Sequence, residues 1–265
     1  MAKCIFCNGA SGTRLTKEHI FPDWLRRFFP RSPTDSHTHG RTSWVGLEPS
    51  TTFTQKQGQA GSRRVKVVCQ KCNNEWLSDL EKRTKPLLLM LINGLPFTLD
   101  ADAQVALATW AAKTIMAAEF VQPDKVAIPP EERASLMRNL VPPDGGWWIW
   151  MAGSQGVEWR TGIHHFSARI NVTPVDLETP DIVNLQSTTI GIGGLLIHAI
   201  STTVPGHSFA LSNPDRSDLR PIWPQPTAAI TWPRPRLLTD ENINVITTNV
   251  VRAFERLRPR PPGQI

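Results

Sequence analysis

Apolar and polar positions change their period several times along the chain, and the changes outline its elements. Val65-Lys66-Val67-Val68 alternates enough to predict a strand running into Cys69. From Asn74 the apolar positions fall at Trp76, Leu77 and Leu80, the spacing of a helix, which Pro86 should kink or break. Leu87 to Ile92 stays apolar until Asn93-Gly94 stops it. Upstream, residues 1–20 read as turns at Asn8-Gly9 and Ser11-Gly12, then a short strand into His19. Phe21, Trp24, Leu25, Phe28 and Phe29 have helical spacing, with Pro22 suited to a first turn. Residues 30–62 are rich in Ser, Thr, Gly and Gln, which predicts a long surface loop with room for a hairpin.

The texture changes near Leu95. Asp100 or Thr98 can cap a helix running to about Phe120, with Val105, Ala108, Ala112, Ile115 and Met116 on one face. Pro129-Pro130-Glu131 opens a short helix to about Leu140. After Asp144-Gly145-Gly146 come expected strands at Trp147–Met151, Val157–Arg160, His164–Val172 and Gln186–Ala199. The proline-rich stretch 212–236 should wrap the surface, and Asp240 to Leu257 reads as a final helix capped by Thr239 or Asp240. The expected fold class is α+β in three parts. Residues 1–94 form a first module, 95–258 an α+β domain of helices and a mainly antiparallel sheet, and 259–265 a disordered tail. No run of about 18 apolar residues exists, and the N-terminus lacks an apolar signal region. Both point to a cytoplasmic protein with no membrane partner.

Charge adds a direction to this outline. The formal net charge is +6. Residues 1–85 hold 15 Lys/Arg against 7 Asp/Glu, a net of +8, and the remainder holds 14 against 16, a net of −2. Basic charge gathered on one segment suits a phosphate backbone. Lys17, Arg63, Arg64, Lys66 and Lys71 are the candidate contacts, with an ordinary solvated surface as the alternative.

That basic segment also holds all four cysteines, as Cys4-Ile5-Phe6-Cys7 and Cys69-Gln70-Lys71-Cys72. Two such turns can close one tetrahedral site for structural Zn²⁺; a disulfide or redox pair and free thiols are the other readings. Lys17-Glu18-His19-Ile20-Phe21-Pro22 follows the first pair, and Asn73-Asn74 follows the second. Hydrolysis of a phosphodiester at neutral pH needs a base near neutrality, which histidine supplies, and hard oxygen donors for Mg²⁺. On a regular strand Glu18 and His19 would face opposite ways, so sharing a site requires a strand end or a bulge. Asn73 and Asn74 also suit the cap of the helix that follows.

The run Cys-x-x-Cys, Glu-His-Ile-Phe-Pro, Val-Cys-x-x-Cys-Asn-Asn resembles the HNH endonucleases with a ββα-metal fold. It is similar to the branch with E-H-I-F-P-x-W-L and C-N-N-x-W-L-S-D-L-E segments, found in bacterial and phage proteins, over residues 1–92. The resemblance implies that His19 is the general base, that Glu18 and Asn73 bind a catalytic Mg²⁺ or Mn²⁺, and that Cys4, Cys7, Cys69 and Cys72 bind structural zinc. Double-stranded DNA is then the expected substrate. The family's middle Asn has no counterpart in Arg63-Arg64-Val65-Lys66-Val67-Val68, and Asn74 is the candidate for its role. A zinc-dependent nucleic-acid-binding or regulatory protein without catalysis is the alternative function. Trp24 and Trp76 read as core of the first module, and Trp147, Trp148, Trp150 and Trp159 mostly as core of the second region. His37 and His39 read as solvated loop residues, and His164, His165 and His198 carry no metal-like spacing.

Overall fold

The structure is a computed structural model that describes residues 2–28, 36–45, 48–57, 63–121, 123, 126–168, 183–206, 209, 218–226 and 228–256. Strand β1 (Leu15–His19) pairs antiparallel with β4 (Arg64–Cys69), and a bulge falls between Thr16 and Glu18. β4 feeds without a loop into α1 (Gln70–Cys72), a π-helical stretch Asn73–Leu77, and α2 (Ser78–Ile92). The expected break at Pro86 does not occur. Pro86 is exposed on α2, while Leu87, Leu88, Leu91 and Ile92 beyond it are buried and hold the last turns in place. Phe21 to Phe28 gives a 3-10 turn over Asp23–Phe28 rather than an α-helix.

Between β1 and β4 the chain makes a hairpin of β2 (Ser36–Val45) and β3 (Glu48–Gln57). The hairpin for which the expected loop had room takes up most of that stretch. Its polar, Thr-rich sequence has β-propensity without the apolar alternation that reveals a strand.

The remaining elements are β5 (Phe97–Leu99), α3 (Ala101–Ala118), α4 (Pro130–Asn139), β6 (Trp147–Ser154), β7 (Thr161–Ala168), β8 (Leu185–Ile192), β9 (Leu195–Thr202), β10 (Arg220–Trp223), β11 (Ile230–Trp232), β12 (Leu237–Leu238) and α5 (Asp240–Arg256). The large sheet has the order β10-β6-β9-β8-β7-β2-β3, and β12 also pairs with β6. Its ladders are antiparallel except for β2 with β7 and β12 with β6. The fold is thus α+β with a mixed sheet.

Local chemistry decides several boundaries. The Ala103 N–H donates to Asp100 Oδ1 at 2.8 Å, so Asp100 caps α3. Thr239 caps α5 through the Asn242 N–H. The Asp240 carboxylate instead accepts the N–H groups of Val157, Glu158 and Trp159. Those donors are lost to any ladder, and the strand expected over Val157–Arg160 is a 3-10 turn at Glu158–Arg160. The long strand expected over Gln186–Ala199 is two, divided at Gly193-Gly194. Gly193 has φ +55°, and a Cβ there would stand 2.6 Å from the Ile92 carbonyl oxygen, so only glycine fits against the end of α2.

One apolar core runs from Phe6 and Val68 through Leu88, Trp110 and Ile115 to Ile149, Ile190 and Trp232, and so passes across residues 94–95. A second core, with Trp150, Phe166, Leu196 and Ile200, lies on the other sheet face under Ile243 and Ile246 of α5. Residues 212–236, expected to wrap the surface, contribute β10 and β11 and bury Trp223 and Trp232. Among the described residues no helix is long and apolar enough to cross a membrane. The expected tail, 259–265, lies outside the described residues.

Candidate metal centre and the adjoining strand end

The four cysteines meet where β4 becomes helix. Leu15 pairs with Cys69, so the turn that carries Cys4 and Cys7 lies against the start of α1, and the Ile5 N–H donates to the Val67 carbonyl. All four Sγ atoms lie within 4.8 Å of one another, with Cys7 Sγ 3.6 Å from Cys69 Sγ. Four sulfurs placed tetrahedrally about 2.3 Å from a zinc ion would be about 3.8 Å apart. The set therefore fits a structural Cys4 metal site, and the four side chains are free thiols rather than disulfides.

Neighbouring donors prepare two of these thiols for ionisation. Burial opposes it at Cys69, but Ser11 Oγ donates to its sulfur at 3.0 Å and the Cys72 N–H at 3.5 Å, bringing the thiol down to about 6. At Cys7 burial is likewise outweighed by hydrogen bonds to Ser11, and its thiol is lowered. Burial pushes Cys4 and Cys72 up. A bound cation would reverse that, because it binds the thiolate.

At the far end of β1, past the bulge, the polar residues follow the regular alternation of a strand. Glu18 lies opposite buried Val65, and His19 opposite exposed Arg64. The two side chains therefore face different ways. Glu18 points into the protein, is 5% exposed, and accepts from Lys113 Nζ of α3 at 3.5 Å. Lys113 is fully buried and also donates to Glu81 Oε1 of α2 at 3.1 Å. Burial opposes the ammonium charge, but the two carboxylates outweigh it and hold Lys113 above its ordinary value. Burial raises Glu18 despite Lys113.

His19 is partly exposed. Its Nε2 accepts from Arg64 Nε at 2.7 Å and lies 3.6 Å from Asp23 Oδ1. Because arginine can only donate, the ring is neutral in this arrangement, with its proton on Nδ1. Burial first, and then the Arg64 charge, hold His19 below the usual imidazole value.

Asn73 stands at the other end of β1, where its Nδ2 donates to Thr16 Oγ1 at 3.3 Å. Thr16 is three residues from His19, roughly 10 Å along an extended strand. The helix carboxylate whose field reaches both Glu18 and His19 is Glu81, two turns beyond Asn73. Asn74 is exposed. Among the described residues, the four cysteines are the one group of three or more His, Cys, Asp or Glu side chains close enough to hold a metal ion.

The expected phosphate contacts Lys17, Arg64, Lys66 and Lys71 are exposed, and Arg63 is half-buried, with burial lowering it to about 10. Beside β1 an open groove of about 700 Å³ is lined by Ala2, Arg14, Leu15, Thr16, Lys17 and Lys66. Sequence reasoning missed Arg14, Glu81 and Lys113. A lone lysine inside the apolar run Ala111-Ala112-Lys113-Thr114-Ile115 was the signal available for the last. Comparison with known proteins finds no matching family model, no matching curated protein and no matching solved structure.

Proposed function

We propose that the chain is an HNH-type nuclease that hydrolyses phosphodiester bonds in DNA, with His19 as the general base. The observation that carries this reading is the neutral, partly exposed His19 ring at the end of a strand pair that continues into a helix, with a four-thiol centre at the strand–helix junction. A neutral ring accepts a proton at neutral pH, and the depressed pKa keeps it in that form. Arg64 holds the same nitrogen. An incoming phosphate would draw the guanidinium to itself, release Nε2 to a water molecule, and leave Arg64 to neutralise charge on the phosphorus oxygens. Water oxygen then bonds to phosphorus, its proton passes to Nε2, and the bond to the leaving sugar oxygen breaks, with that oxygen keeping the electron pair and taking a proton from solvent.

Zinc, held by Cys4, Cys7, Cys69 and Cys72, would supply the fold at the strand–helix junction and no chemistry. The divalent ion expected at Glu18 and Asn73 fits the geometry less well. Glu18 is engaged by Lys113 and Asn73 by Thr16, so no step is routed through that ion.

The same two contacts favour a second reading, a zinc-dependent nucleic-acid-binding protein that does not cut. Plasmid incubation with Mg²⁺ or Mn²⁺, comparing wild type with His19→Ala, separates the two. Nicking by wild type that falls at least about 100-fold in the variant supports the nuclease. Binding without cutting under every divalent ion sinks it and leaves the binding protein.

A further inference from the structure

We infer that the groove along the outer side of β1 seats a nucleic-acid phosphate backbone, held by Arg14, Lys17 and Lys66. This rests on the nucleic-acid reading above and adds where the strand lies. Arg14 immediately precedes β1, Lys17 lies on β1 and Lys66 on the paired strand β4, so two neighbouring stretches of backbone bring three cationic residues to the lining of one concavity. All three side chains are exposed, and no carboxylate is among the groove's lining residues. Three like charges facing one space repel unless an anion lies between them.

The shape selects the kind of anion. An open groove of about 700 Å³ admits an extended chain. The backbone from Arg14 to Lys17 spans roughly 10 Å, which suits a polymer that passes along the strand better than one small ion. The groove also leads to chemistry. Two residues beyond Lys17 stands His19, and two before Lys66 stands Arg64, the pair joined at 2.7 Å. A backbone lying against Lys17 and Lys66 arrives at the His19 ring.

The strand geometry explains why these side chains face the groove. Lys17 keeps the regular alternation of β1, opposite in sense to its buried neighbour Glu18. The extra residue of the bulge is on β4, where Lys66 and Val67 together lie opposite Lys17 between the Thr16–Val68 and Glu18–Val65 pairs.

The test is fluorescence anisotropy of a labelled oligonucleotide, as single strand and as duplex, over about 50 to 200 mM salt. The variants are the triple R14Q/K17Q/K66Q and a control, R83Q, whose arginine is exposed on α2 away from the groove. Circular dichroism verifies that each is folded. Three lost phosphate contacts should lower the slope of log affinity against log salt by about 2.7 on duplex DNA, while R83Q keeps the wild-type slope. A folded triple variant with the wild-type slope overturns the groove and leaves the nucleic-acid reading standing. Wild type that binds no oligonucleotide overturns both. Loss of binding to phosphatidylserine vesicles in the triple variant, with oligonucleotide binding unchanged, overturns the inference in favour of a lipid headgroup.

Discussion

Lys113 Nζ lies 3.5 Å from Glu18 Oε1, although 95 residues separate the two in sequence. The contact joins α3, from the part of the chain expected to form a separate domain, to the strand that carries His19. Glu81 of α2 completes the group at 3.1 Å. One ammonium therefore fixes β1, α2 and α3 to each other at the base of the candidate site. Regular alternation turns Glu18 inward and leaves His19 outside, so one residue of the pair anchors the strand and its neighbour meets solvent.

Removing that ammonium should be costly. Lys113→Met leaves Glu18 buried beside a methyl group, and an uncompensated buried charge destabilises by about 3–5 kcal/mol. Adding Glu18→Gln removes the stranded charge and should recover part of the loss. Urea unfolding of the wild type, the single variant and the double variant measures this. A single variant as stable as wild type would show that the three groups do not meet in the folded protein.

The four-thiol centre predicts a metal-dependent fold. One zinc per chain should be found by elemental analysis of the purified protein. Metal bound only by the folded chain contributes its binding free energy to folding. A strong chelator should therefore lower the unfolding midpoint by at least about 10 °C, since each kcal/mol is worth about 2–4 °C in a chain of this size. Cys69→Ser should do the same without chelator. An identical melting curve with and without chelator would rule out a structural metal.

Legibility followed the physics that each feature depends on. The cysteine centre was readable because two C-x-x-C turns are a local pattern, and Leu15 pairing with Cys69 brings them together. The strand running into a helix at Cys69 was readable because the period changes there. The hairpin at 36–57 carries its propensity in threonines, and polar strands have no hydrophobic alternation to show. Lys113 lies on a helix buried almost all round from Leu107 to Ala118, where no apolar stripe marks an inner face. Its partners Glu18 and Glu81 belong to other elements, and only tertiary packing unites them. The bulge between Thr16 and Glu18 leaves no mark on composition or spacing, and because it falls before Glu18 the pair Glu18-His19 keeps the alternation of a regular strand.

Two buried groups, His198 on β9 and Glu119 at the end of α3, should give the stability a pH dependence whose slopes oppose each other. His198 is fully buried, with Nδ1 2.8 Å from Thr189 Oγ1 and its ring stacked on Trp150. Burial, and then His164, lower it from 6.5 to about 3. Between those values the unfolded chain takes up a proton that the folded chain refuses. The stability from neutral His198 is therefore full above pH 6.5 and is lost as pH falls. Glu119, buried beside Arg133 and His165, runs the other way. Burial raises it from 4.5 to about 7, against Arg133 and the Ala127 and Ile128 N–H groups. Its contribution is full below pH 4.5 and is lost as pH rises through 7. Between pH 4.5 and 6.5 the two slopes, each at most about 1.4 kcal/mol per pH unit, offset one another. Removing either group exposes the other. Relative to wild type, Glu119→Gln should gain stability with rising pH over that window, and His198→Gln should lose it, each by up to roughly 2.7 kcal/mol. Urea midpoints at several pH values measure both differences. Parallel changes in the two variants would mean that the buried charges do not titrate as their surroundings require.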